Sequence, residues 1–419
     1  MTTSRPGRGE AFVWIWLPGA TDPVVAGKLT VEGEDLVFNY GQSYLGRDDA
    51  ISIHEAELPL RPGALPLVAG LHVPNCIRDA APDAWGRRVI MNKVLGTSRP
   101  DVDTAELDEL TYLLESGSDR IGALDFQRSP TEYEPRMKES STLEELQRAA
   151  EKVEKGIPLS PELDQALIHG SSIGGARPKA LIEEASRKCI AKFSSSSDLY
   201  SVVKAEFVAM RLAKIVGLDV ASVSLTRSWD KDVLLIERFD RIPAGDQWLR
   251  KHMISALTLF ELDDMTARYA SYEKLAEIIR HRFKDPTATL RELFSRLVFN
   301  VLCGNTDDHA RNHTAFWDGQ WLALTPAYDI CPQPRSGNEA SQAMLIAGGN
   351  RMSQVASCLE AAPAFHLTRG AALEIALNQK ATIRDSWEAV CDEARLTGID
   401  RALLWGRQFL NPYSMVGIV

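Results

Sequence analysis

The sequence predicts an α+β protein, with strands and helices mixed in the first half and a mainly helical second half. Three observations point there. Residues 12–60 hold β-prone runs broken by Gly, Pro, Asp and Asn. Two short apolar runs, 180–182 and 189–193, flank a polar turn. From about residue 254 onward the apolar residues recur at helical spacing.

Taken in order, residues 12–17 form a bulky β-prone run ended by Pro18 and Gly19, and 24–29, 36–40 and 56–60 are further strand candidates. Arg5 and Arg8 precede the first run, but it is short and follows Glu10, so it reads as a strand and not a signal peptide. A helix is expected over 83–95 after Pro82, a second over 103–115 and a third over 142–155, with a polar linker at 128–142. Residues 170–179 read as a small-residue loop and 194–197 as a solvated serine run. An amphipathic helix over 200–216 ends at Gly217, and strands are expected at 220–225, 232–236 and 321–324. The later helices are expected at 254–261, 272–282, 288–303, 370–380 and 383–396.

The chain has 419 residues, with Lys+Arg 47 against Asp+Glu 57 and a net charge of −10. That balance argues against a protein that coats nucleic acid by charge alone, because phosphate contacts need clustered cations. The six cysteines form no C-x-x-C pair and are too sparse for a disulfide scaffold. They read as reduced thiols of a cytoplasmic protein. No apolar run approaches the roughly 18 residues that a membrane helix needs, so no membrane partner is expected.

The chemistry-bearing residues fit phosphoryl transfer. That reaction needs a phosphate cradle, a lysine on the phosphates, oxygen ligands for magnesium and an aspartate on the attacking hydroxyl. The loop 170–179 supplies glycines, whose backbone N–H groups approach phosphate closely, followed by Lys179. It is not a Walker loop. Lys192 lies in an apolar strand, and Glu206 opens the next helix. Asp307 precedes Asn312 by five positions, the D-x-x-x-x-N spacing of a kinase catalytic loop, and Asp329 follows where a metal-chelating aspartate belongs. Residues 237–241 follow a strand, as an adenine-binding linker would. His309 and His313 lie beside Asp307 and Asp308, but Gly and Asn break the helix that an H-x-x-x-H zinc site needs. Magnesium bound with ATP is the expected pair.

Each part has a plainer reading. These are an ordinary turn at 170–179, a snorkelling Lys192, a first-turn acid at Glu206, a charged strand end at 237–241, an Asx-rich turn at 305–312 and a helix cap at Asp329. Their joint occurrence in the order of a phosphotransferase favours the functional reading.

These residues resemble the HipA family of serine/threonine kinases, the toxin halves of HipBA toxin–antitoxin pairs. The resemblance rests on 170–180 (GSSIGGARPKA), 190–193 (IAKF), 234–241 (LLIERFDR), 299–312 (FNVLCGNTDDHARN) and 324–330 (LTPAYDI), with 82–87 (PDAWGR) nearer the N-terminus. It implies a two-lobed protein-kinase-like fold with an ATP cleft between a mixed α/β lobe and a helical lobe. The implied division is 1–145 for an N-terminal HipA-type subdomain, 146–240 for the kinase N-lobe core and 241–419 for the helical lobe. It also implies Asp307 as the catalytic residue, Asn312 and Asp329 as magnesium ligands, and Lys192 on the ATP phosphates. Gly174, Gly175, Ala176, Arg177 and Lys179 would form the phosphate-side loop, and Glu237 and Phe239 the adenine linker. Asp240, His309 and Tyr328 would line the nucleotide site. Ser172, or its neighbour Ser171, would be the loop serine whose autophosphorylation ejects the loop and silences the enzyme. The implied protein substrate is an aminoacyl-tRNA synthetase. The implied partner is a HipB-like helix-turn-helix antitoxin, with operator DNA reached only through that complex. A small-molecule phosphotransferase or a catalytically silent, antitoxin-bound corepressor would use the same parts.

Overall fold

The computed structural model describes residues 9–95, 107–136, 141–155, 157, 159–160, 163, 167, 171–173, 175–184, 186–195, 198, 200–335 and 337–418. An antiparallel sheet opens the chain, with β1 (Glu10–Ile15), β2 (Val24–Glu32), β3 (Asp35–Tyr40), β4 (Ala64–Leu65) and β5 (Leu124–Gln127) in the order β4-β3-β2-β1-β5. Strict alternation drives it: in β3, Leu36, Phe38 and Tyr40 point inward and are buried. No strand forms at 56–60. A turn closed by a His54–Leu58 bridge lies there instead, because the buried Glu57 carboxylate takes the N–H groups of Asn75 (3.0 Å) and Cys76 (2.8 Å). Strand β5 lacks a sequence signal of its own and forms by pairing with β1.

Helix α1 (Ala84–Leu95) follows Pro82, as expected. The second helix, α2, covers Glu109–Glu115, capped by Asp108; the start of its expected span, with 96–106, lies outside the described residues. Helix α3 (Leu143–Glu154) carries a full capping box between Thr142 and Glu145.

A second antiparallel sheet, of order β6-β7-β9-β8, comes next: β6 (Lys179–Glu184), β7 (Arg187–Phe193), β8 (Val223–Ser228) and β9 (Lys231–Glu237). Trp85 and Val89 of α1, with Leu146, Ala150 and Val153 of α3, pack with Ala191, Phe193 and Val233 of this sheet. Helix α4 (Val202–Ile215) presents Val203, Phe207 and Met210 to the larger core. Strand β8 starts later than expected, because Ala221 N–H donates to Ala327 O (2.9 Å) and Ala327 N–H to Asp219 O (2.8 Å). Residues 219–221 are thereby tied to the segment leading to Asp329.

Hairpin β10 (Arg241–Ala244) and β11 (Gln247–Arg250) follows, then β12 (Met253–Ser255). Residues 254–261 are therefore not one helix. Ile254 pairs with Ala315 in the strand, and Ser255 caps only the short helix α5 (Ala256–Leu259). Helices α6 (Tyr272–Arg282) and α7 (Pro286–Cys303) form the centre of the second half. Asp285 and Pro286 start α7, and Gly304 ends it in the left-handed region, φ 75°. The sheet β12-β13-β14 is completed by β13 (Thr314–Trp317) and β14 (Leu322–Leu324). Helix α8 (Val355–Ala361) leads to α9 (Arg369–Glu393), a single 25-residue helix where two were expected at 370–380 and 383–396. No Gly or Pro stands between those spans, and Ile375, Gln379, Ile383, Trp387 and Val390 share one buried stripe across the expected break. All six cysteines are buried and free. No helix among the described residues is long and apolar enough to cross a membrane.

Leu297 lies mid-helix in α7 and is fully buried. Leu297→Ala is expected to lower unfolding free energy by about 2–5 kcal/mol in a urea titration, the range for a leucine-sized core deletion. A loss under about 1 kcal/mol would contradict this packing.

Candidate active site

A cavity lies between the second sheet and the helical half. Its lining includes Gly175, Lys179, Lys192, Glu237, Phe239, Asp240, His309, Asn312, Tyr328 and Asp329. Residues far apart in the chain, from Asp79 to Asp329, thus meet in one place.

The buried Lys192 on β7 organises the floor. Its Nζ donates to Glu206 Oε1 at 2.6 Å and to Asp329 Oδ1 in a second charged contact. Lys192 is on β7 and Glu206 is on α4, while Asp329 comes from the loop after β14, so the triad joins the two sides of the cleft. Burial alone would push the Lys192 ammonium toward neutrality, but Asp329 and Glu206 outweigh it and hold the pKa well above the usual lysine range. Burial would likewise raise Asp329, yet Lys192 and then Lys179 hold its carboxyl far below the usual range. Glu206 goes the other way: its deep burial raises it despite Lys192. Asp329 has φ 56°, an uncommon left-handed conformation that a short polar side chain tolerates.

Lys179 sits across the ladder from Lys192. It is buried, and burial followed by repulsion from Lys192 lowers its pKa to about 8. Gly175, at φ 102°, lies so close that a Cβ there would be 2.2 Å from Lys179 Nζ. Glycine suits that backbone, which strains any L side chain, while a Cβ would also require Lys179 Nζ to shift.

The loop after α7 carries the remaining chemistry. Asn305 is pinned by Asn300, N–H to O at 2.9 Å and Nδ2 to Oδ1 at 3.0 Å. Buried Asp308 accepts from Tyr272 Oη and lies 3.1 Å from His313 Nε2. This leaves Asp307 exposed beside the cavity. Partial enclosure of its carboxyl raises its pKa, with His309 opposing and Asp329 adding to the rise. Asn312 Nδ2 donates to Asp307 O at 3.3 Å, leaving its Oδ1 as an oxygen donor. His309 Nδ1 is buried without a partner among the described residues. Tyr328 Oη donates to Arg311 O at 2.6 Å, and its ring lies 5.7 Å from that of Phe239.

Three expected site residues are placed elsewhere or otherwise occupied. Arg177 forms a two-pronged ion pair with Asp198 (3.0 and 2.9 Å), and neither it nor Ala176 lines the cavity. The Asp240 carboxylate touches the cavity wall but is spent on Arg238 (2.9 and 2.8 Å), Arg241 (2.9 Å) and the Gly122 N–H (2.8 Å). Gly174 lies outside the described residues. Ser171 and Ser172 of the loop itself are buried, and Ser172 Oγ has no partner among the described residues.

Sequence reasoning missed Asp79, Asp83, Arg311 and Thr314, all of which line the cavity. Asp79 and Asp83 reach it from the N-terminal part. Asp79 accepts from the Ser255 N–H (2.8 Å), Ser255 Oγ (2.7 Å) and Thr258 Oγ1 (2.8 Å). The acid-flanked 79–83 segment was the available signal, but nothing in its spacing shows which distant loops it meets.

As a metal site, Asn312 and Asp329 offer one amide and one carboxylate oxygen. Among the described residues no cluster of three or more His, Cys, Asp and Glu side chains is placed to hold a metal ion. The donor pair fits magnesium, which prefers oxygen and takes one or two protein ligands together with phosphate oxygens.

Comparison with known proteins agrees in extent. The model of the HipA-like C-terminal domain matches residues 171–395, and that of the HipA N-terminal domain matches 18–127. The serine/threonine-protein kinase toxin HipA of Shewanella oneidensis is 30% identical over 142 residues, 30% of this chain and 33% of that protein. The chain therefore aligns with about a third of that toxin's length. Y4mE of Sinorhizobium fredii is 24% identical over 343 residues, 75% of this chain and 76% of that protein. The structure of Shewanella oneidensis MR-1 HipA, solved with HipB and operator DNA, superposes with a TM-score of 0.68 at 18% identity, covering 96% of this chain and 99% of that one.

Lys179 is cationic below its pKa of about 8 and neutral above it. Affinity for a non-hydrolysable ATP analogue, measured by calorimetry, is therefore expected to hold below pH 8 and to fall as pH rises above it. In Lys179→Met that fall should disappear; a pH-independent affinity in the parent would contradict a phosphate-facing Lys179.

Proposed function

The chain belongs to the HipA family, and on that footing we propose that it is an ATP- and magnesium-dependent serine/threonine protein kinase, the toxin of a toxin–antitoxin pair. The observation that carries this reading is the convergence of Lys192, Asn312 and Asp329 on one cleft, with Glu206 bonded to Lys192 and Asp307 bonded through its carbonyl to Asn312.

ATP enters between the sheet and the helical half, with its adenine against Phe239 and the linker from Glu237. The Glu237 N–H is already given to Ser222 O (2.9 Å), which fixes the linker. Lys192 and Lys179 place two cations where the phosphates lie, and low-dielectric walls strengthen both. Asn312 and Asp329 would hold magnesium, which when bound neutralises charge on the transferring phosphoryl oxygens. Asp307 orients the target serine or threonine hydroxyl and accepts its proton. The raised pKa of Asp307 suits a base. The hydroxyl oxygen bonds to the γ-phosphorus as the bond to the ADP oxygen breaks, and ADP leaves.

The substrate proposed from the resemblance is an aminoacyl-tRNA synthetase. The partner proposed is a small HipB-like antitoxin, in line with the HipB and operator DNA found with Shewanella HipA. A net charge of −10 supports contact with DNA through that partner rather than directly. The reaction is proposed to limit itself. A phosphate on Ser172 adds roughly −1.5 to −2 charges to a loop built to hold other phosphates. Burial of Ser172 means that the loop must swing out before the hydroxyl meets ATP.

Asp307→Asn is expected to cut phosphate transfer about 10²-fold or more in protein with an unchanged melting profile, the scale for a positioned base. Near-parental turnover would remove Asp307 from this role. In a time course with MgATP, Ser172→Ala should keep its activity after the parent has lost its own. Identical decay of the two would rule out self-inactivation at Ser172.

A further inference from the structure

We propose that Asp83 is a positioning residue that holds the glycine-rich loop in its inward position by bridging it to the catalytic loop. Asp83 Oδ2 accepts the Gly175 N–H at 2.7 Å, and Oδ1 lies 3.5 Å from the Arg311 guanidinium. Arg311 also pairs with Asp264 (2.9 Å), which in turn pairs with Arg78. One run of alternating charge thus links the N-terminal part, the helical half and the phosphate-side loop along the cavity edge.

The neighbours of Asp83 serve the same contact. Trp85 N–H donates to Gly175 O (3.3 Å), and the buried indole Nε1 to Lys179 O (3.0 Å). Gly86 lies directly against Ser171, where a Cβ would come within 1.8 Å of the Ser171 carbonyl oxygen. Arg87 secures the segment from behind, through Pro82 O (3.0 Å) and Glu109 (2.7 and 2.6 Å). The start of α1 is therefore a cradle shaped to the loop, and Asp83 is its charged clasp. When the loop is inward, Ser171 and Ser172 are buried and Lys179 faces the cavity. Asp83 then governs two properties together: how tightly phosphates are held, and how often the loop serines reach solvent. The kinetic half of this inference rests on the kinase reading; the structural half does not.

The test is hydrogen–deuterium exchange on the full chain without nucleotide, comparing the parent, Asp83→Ala, Asp83→Asn and Gly86→Ala. Exchange at Gly175, and across residues 171–173, is expected to quicken about 10-fold or more in Asp83→Ala, because a charge-assisted bond to a partly buried N–H is lost. Asp83→Asn keeps an oxygen acceptor and should fall between the two. Gly86→Ala should release the loop by crowding alone, with no change of charge. Parental exchange at Gly175 in both Asp83 variants would overturn the inference, whatever the enzyme does. With MgATP, Asp83→Asn should raise the KM for ATP more than it lowers kcat; a loss confined to kcat would also overturn it. A parent without phosphate transfer but with a quickened loop in the variants would sink the kinase reading and leave the clasp standing.

Discussion

A single buried ammonium sets the terms for the whole cleft. Lys192 is enclosed by apolar strands, and an enclosed charge without partners would cost several kcal/mol. Its pairing with Glu206 and Asp329 offsets that cost. The pairing works only if α4 packs on the sheet at the correct height and if the loop carrying Asp329 reaches across from the other half. Removing either carboxylate would leave the lysine under-compensated. The triad is thus a registration device for the two halves that also sets a positive charge in the cavity wall.

Much of the surrounding structure serves to deliver Asp329 and the catalytic loop to that ammonium. The exchange of hydrogen bonds between 219–221 and Ala327 fastens the segment before Asp329 to the base of β8. Gly304 stops α7 in a left-handed turn, where a side chain would meet the Gln408 carbonyl at 2.7 Å. The chain then turns at once into 305–312. Asp308, bonded to Tyr272 and His313, anchors the loop so that its neighbour Asp307 faces outward. Adjacent aspartates therefore have opposite surroundings, one buried and bonded, the other exposed.

The chemistry was more legible in the sequence than the assembly. Short-range spacing singled out Asp307, Asn312 and Asp329, and an apolar strand singled out Lys192; the structure places Lys192, Asn312 and Asp329 in one cavity lining, with Asp307 beside Asn312. Strong caps and periodicity made α3, α6 and α7 readable too. The failures were tertiary. The strand expected at 56–60 yielded to Glu57, whose carboxylate is drawn into two backbone N–H groups 18 and 19 residues away. Residue 254 joined a sheet because β13 lay beside it, and the helix over 369–393 continued because the stripe on its buried face is unbroken. Asp240 looked free for a ligand, yet Arg238 and Arg241 claim it along with Asp119, itself paired to both arginines. Asp83 carried no local mark of its contact with Gly175, since 92 positions separate the two.

On the proposed reading, this cleft moves phosphate from ATP to a hydroxyl of its own loop. The most direct measurement is the intact mass of protein first stripped of phosphate, taken before and after incubation with ATP and magnesium. The expected result is the gain of a phosphoryl group mapped to Ser172 or Ser171, absent when ATP is replaced by a non-hydrolysable analogue. An unchanged mass, in protein that binds ATP and is shown to begin unphosphorylated, would contradict the claim that the cleft phosphorylates its own loop.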